Sequence, residues 1–139
     1  MSIEIYVLSD RCLASIEDWQ RAIDAEGFKL RLDMSRAFAD LGGHLLAQRG
    51  DEHAGFECDH WDPRDIIDTY EDIDFGRGWS RTLAFRIGGD FHALWGAYAA
   101  ATAYARATDG VVFDSEAGEI FSPEQAAKTV RDIERSLPG

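Results

Sequence analysis

The chain is poor in the residues that staple or interrupt small folds. In 139 residues it has two cysteines (Cys12 and Cys58), three prolines and two lysines. Two thiols cannot build a disulfide framework, and no stretch approaches the ~18 consecutive apolar residues of a membrane span. The opening residues Met1-Ser2-Ile3-Glu4-Ile5-Tyr6 set no basic segment ahead of an apolar run, so no secretory leader is expected. A reducing, bacterial-type cytoplasm is the expected compartment. The bacterial part rests on the preference for arginine over lysine, which suggests a GC-rich genome.

Positive charge is the second shortage. Fourteen Lys and Arg stand against 26 Asp and Glu, a formal net charge of −12. A protein that tracks phosphates carries a basic patch or stripe. Here every arginine cluster has acids beside it, so direct binding to nucleic acid or to an anionic membrane surface is not expected. The acidity is local: between Asp51 and Asp74 stand ten acids and a single base, Arg64, which together supply nine of the twelve negative units. Such a segment is either a surface for a partner or a solubilising patch.

What is present is the composition of one ordinary domain. Hydrophobic residues make up 45% and aromatics 12%, enough to bury a core, and the length suits a single domain over residues 1–139, monomeric or homodimeric. Residues 3–8 read as a buried strand. Ser15 as N-cap, Ile16, Trp19 and Ile23 at helical spacing, and Gly27 as the terminating glycine predict the first helix. Residues 28–33 alternate as a half-buried strand, and Ser35 to Leu41 reads as a short helix. His44 to Arg49 and Phe56 to Trp61 read as a hairpin around a polar turn. Asp62-Pro63 opens a short helix carrying Ile66, Ile67 and Tyr70. Glu71 to Gly78 is a loop by composition and is expected to be mobile. Ser80 to Ile87 alternates as a strand, and Asp90 caps the longest helix, with Phe91, Leu94, Trp95 and Tyr98 along its inner face. A short hairpin over residues 111–121 precedes Ser122-Pro123-Glu124-Gln125, a complete capping box for the last helix. The expected fold is α+β: one two-layer domain, a mixed sheet with helices packed on it.

The densest chemistry lies in the acidic segment. If Phe56 to Asp62 is extended, period two puts Cys58, His60 and Asp62 on one face, and thiolate, imidazole and carboxylate together form a plausible shell for a divalent metal. Beside this stands the plain reading of Cys58 as a small buried hydrophobe. Cys12 precedes a helix N-terminus, where a thiol pKa can fall, but no phosphate cradle follows it and no catalytic residue is assigned. Trp61 and Trp79 flank the acids, and a tryptophan inside an acidic stretch can recognise a basic protein by packing plus charge. The candidate partner-binding residues are Asp59, Trp61, Asp65, Asp68, Asp72, Asp74 and Trp79.

Four segments of the second half carry a resemblance: the strand Thr82 to Ile87, the alanine-rich helix Asp90 to Ala107, the Val-Val-Phe-Asp hairpin Val111 to Phe121, and Ser122 to Gln125. In these the chain resembles small acidic bacterial α+β proteins of immunity-protein type. The resemblance implies a protein that neutralises a toxin partner, and it carries over no residue. The sequence-based expectation is therefore a binding protein, immunity- or antitoxin-like, that engages a basic partner through residues 51–74. The alternative is a small metal-dependent hydrolase built on Cys58 and His60.

Overall fold

Strand β1 (Ile3–Ser9) lies inside a six-stranded sheet, and its alternation defines the two faces. Ile5 and Val7 point to one side, Tyr6 and Leu8 to the other, and all four are buried. The computed structural model describes residues 2–137. The other strands are β2 (Arg31–Leu32), β3 (His44–Leu45), β4 (Ala47–Arg49), β5 (Glu52–His53), β6 (Phe56–Trp61), β7 (Arg81–Ile87), β8 (Val111–Asp114) and β9 (Glu119–Phe121). The large sheet runs β3-β6-β7-β1-β8-β9, and β2-β4-β5 form a small second one. Four helices complete the α+β fold: α1 (Ile16–Glu26), α2 (Pro63–Thr69), α3 (Phe91–Thr108) and α4 (Pro123–Arg135).

The first face of the large sheet packs against helices. Ile5, Val7, Phe56, Cys58, Leu83, Phe85 and Val112 belong to one continuous core with the inner residues of α1, α3 and α4. Helix α1 starts where the Ser15 hydroxyl accepts from the Asp18 amide and stops at Gly27, whose φ of 82° suits a glycine. It delivers Trp19, fully buried, whose indole N–H donates to the Ala100 carbonyl at 2.9 Å. Helix α3 is alanine-rich because it is crowded. A Cβ at Gly96 would lie 2.2 Å from the Ala54 carbonyl oxygen, so the helix comes this close only with glycine there. The capping box of α4 is complete: the Gln125 amide donates to the Ser122 hydroxyl and the Ser122 amide to the Gln125 side chain.

Several local expectations change. Every strand pair is antiparallel where a mixed sheet was expected. No crossover returns to a neighbouring strand in the same direction, so no pair of neighbours is parallel. The run from His44 to Arg49 is two strands. His44 and Leu45 pair with β6 while Ala47 to Arg49 pair with β2 and β5, so the chain leaves one sheet for the other at Leu46, which is 57% exposed. The strand expected over residues 28–33 shrinks to Arg31–Leu32, and the short helix to a 3-10 turn over Phe38–Asp40. Phe91, expected on the inner face of α3, is 62% exposed in the first turn.

Candidate partner-binding face

The second face of the large sheet is only partly covered. Tyr6, Leu8 and Phe113 lie there under α2 and the segment that follows it, packing against Ile66 and Phe75, with Ile67, Tyr70, Ile73 and Trp79 at the margin. Asp62 caps α2: its carboxylate accepts from the Arg64 amide at 3.0 Å, and that bond is the first cause holding its pKa below the usual carboxylate value. Residues 71–78 contain no helix or strand, yet they hold Phe75 in the core of this face, 8% exposed. The acidic segment is thus amphipathic in three dimensions. Its apolar residues turn to the sheet, and Asp65, Asp68, Glu71, Asp72 and Asp74 are all exposed. Among the described residues none of these five carboxylates has an ion-pair partner; Arg64 pairs with Asp62, and Arg77 reaches back to Asp10.

The two tryptophans have different settings. The Trp79 indole N–H donates to the Phe75 carbonyl at 3.1 Å, and the Arg77 guanidinium sits 4.6 Å from its ring centroid, so this side chain braces the cover. Trp61 is 41% exposed, its ring centroid 6.2 Å from that of Tyr6. Beside it the sheet is open. Glu4, Tyr6, Asp59, Trp61, Ala84 and Arg86, with Phe85 between, line a hollow of about 280 Å³. Tyr6 donates its hydroxyl to a Glu4 oxygen at 2.9 Å, and Arg86 pairs with the other at 3.1 Å. Burial, with the Tyr70 and Glu4 contacts, pushes the Tyr6 phenol far up, so it stays a donor. One Asp59 oxygen accepts from the Gly43 amide at 2.9 Å.

The expected metal ligands are not assembled. Cys58 faces the helix-covered core with no exposure, and burial pushes its thiol well above the usual value, away from the thiolate a metal needs. A ring nitrogen of His60 lies 3.0 Å from the Phe38 carbonyl oxygen, with the two rings edge to face. Asp62 is occupied as the cap of α2. Among the described residues, no group of three or more His, Cys, Asp or Glu is placed to hold a metal ion. Cys12 is exposed and free.

Of the predicted partner-binding residues, Asp59 and Trp61 border the hollow, Asp65, Asp68, Asp72 and Asp74 lie on the outer surface of its neighbouring cover, and Trp79 supports that cover from within. Sequence reasoning missed Glu4, Tyr6, Ala84 and Arg86. Their signal was the polar side of two alternating strands, Glu4 with Tyr6 and Ala84 with Arg86. It becomes a site only through the register Glu4↔Arg86, Tyr6↔Ala84 and Asp59↔Ala84. No family model matches the chain, and neither the curated proteins nor the solved structures contain a match to it. No helix among the described residues is long and apolar enough to cross a membrane.

Proposed function

We propose that the protein is a non-enzymatic binding protein that captures a basic protein partner on the half-covered face of its large sheet. Asp59, Trp61, Asp65, Asp68, Asp72 and Asp74 meet the partner, and Trp79 holds the surface that presents them. The observation that carries this reading is the set of five exposed, unpaired carboxylates on α2 and the following segment, backed by packed apolar side chains. A solubilising patch needs charge alone. This one is displayed on a braced surface and ends at an exposed tryptophan, a residue type enriched at interface hot spots.

The physics of such a face is fast, salt-sensitive capture. Uncompensated negative charge steers a basic protein towards it, and the gain falls as salt screens the field. The resemblance to immunity proteins makes a toxin the partner class, which the acidic surface would hold by masking the toxin's own basic region.

The test is affinity capture from the source organism's extract on immobilised protein, run beside the charge-reversed variant D65K/D68K/D72K. A basic protein retained by the unaltered chain at low salt, released at high salt and lost from the variant supports the reading. With that partner purified, the variant should associate at least about tenfold more slowly. Retention of the same proteins by both chains would sink it, as would retention of none that is basic.

A further inference from the structure

We propose that the open hollow beside Trp61 is an anchor pocket for a single arginine side chain of the basic partner. The inference rests on the binding reading above and adds the point at which the partner is gripped.

Register makes the hollow. One row across the sheet runs Asp59, Ala84, Tyr6, and the next runs Glu57, Arg86, Glu4. The neighbours of Ala84 in sequence, Leu83 and Phe85, are buried on the opposite face. A methyl group between a carboxylate and a phenol ring leaves the floor low, and Trp61 stands at one end of it. The resulting volume of about 280 Å³ lies just below the roughly 300 Å³ at which small-molecule pockets begin. It is large enough for one long side chain.

The walls select the kind of side chain. Trp61 is 41% exposed and stands close to Tyr6, so an aromatic surface remains open to solvent. Such a surface attracts cations, and a planar guanidinium can stack on it. Asp59 is held by the Gly43 amide through one oxygen, which leaves the other without a protein partner among the described residues. The one cation already present, Arg86, is engaged by Glu4, and Glu4 is also tied to the Tyr6 hydroxyl. The charge of Asp59 is therefore uncompensated. A guanidinium satisfies ring and carboxylate together, since its donors lie in the plane that stacks. The ammonium of lysine is a strongly hydrated point charge and gains less from the ring. The exposed acids of α2 and residues 71–74 then act at longer range, on any basic surface, without choosing between the two side chains.

The test compares dye-labelled oligoarginine and oligolysine peptides of equal length by fluorescence anisotropy against the full chain. The expected result is a preference for oligoarginine of about three- to fivefold in Kd. That preference should vanish in D59N, in W61A and in A84L, which fills the floor. In D65K/D68K/D72K both peptides should weaken alike with the preference kept. Circular dichroism of each variant guards against unfolding, and D59N, an exchange at a half-exposed site, keeps the test decisive if A84L does not fold. Equal binding of both peptides, or a preference untouched by D59N and W61A, overturns the anchor pocket while leaving the acidic-face reading in place. Failure of both peptides to bind overturns both.

Discussion

The two faces of the large sheet are finished to different degrees. The first is sealed by three helices that share one core with it, and its polar groups are turned inward: the Trp19 indole bonds a helix carbonyl and the Cys58 thiol is fully buried. The second is covered at one end by a seven-residue helix and a packed segment, and open at the other. The hollow beside Trp61 opens where that cover stops. The completed core keeps its thiol and indole from solvent, whereas the incomplete face keeps an exposed tryptophan, the Asp59 carboxylate and a hollow in reach of it.

The contrast can be broken by substitution. Trp19→Ala removes one of the two largest fully buried side chains of the sealed face and leaves the Ala100 carbonyl without its indole donor. Its expected cost is about 3–5 kcal/mol in urea unfolding. Phe75→Ala on the other face should cost less, about 2–3 kcal/mol, because the covering segment has no regular structure and can settle into the space. Equal costs would mean that the cover is as rigid as the helical layer. The smallest effect concerns pH. The Asp62 carboxyl is held below its usual pKa of 3.8 by the Arg64 amide. A depressed folded-state pKa stabilises above the unfolded value and is lost as pH falls through the folded one. Acidification below about pH 4 should therefore loosen α2, seen as faster exchange of the Ile66 to Tyr70 amides. Asp62→Asn should remove that acid step, and an unchanged step would show that the cap is not its source.

Much of the fold was legible because its signals are local. Ser122-Pro123-Glu124-Gln125 forms the expected box within four residues, Asp62 and Asp90 cap as read, and Gly27 ends α1. The failures are tertiary. No glycine or proline marks the switch between sheets at Leu46, which lies in the apolar run Leu45-Leu46-Ala47; only the competing partners β6 and β2 divide it. Phe91 has the spacing of an inward residue, but the first turn of α3 leaves it exposed to solvent. The segment expected to be a mobile loop has no regular structure but packs Phe75 and Ile73 against the sheet, apolar residues masked in the sequence by the acids around them. For the site, Asp59 and Trp61 were visible as an aromatic among acids. Their companions come from strands far away in the chain, and a small residue such as Ala84 is conspicuous only once its neighbours across the sheet are known.

The place of β1 also governs how the sheet is put together. Strand β1 pairs with Arg81–Ile87 on one side and with Val111–Asp114 on the other. Ile5, Val7 and Leu8 therefore precede by a long stretch of chain the two strands that flank them. Contacts of this separation slow folding, and unpaired apolar strands are exposed to association while they wait. The middle of the sheet is therefore assembled from partners far apart along the sequence, and its stability depends on pairings that only the folded chain brings together.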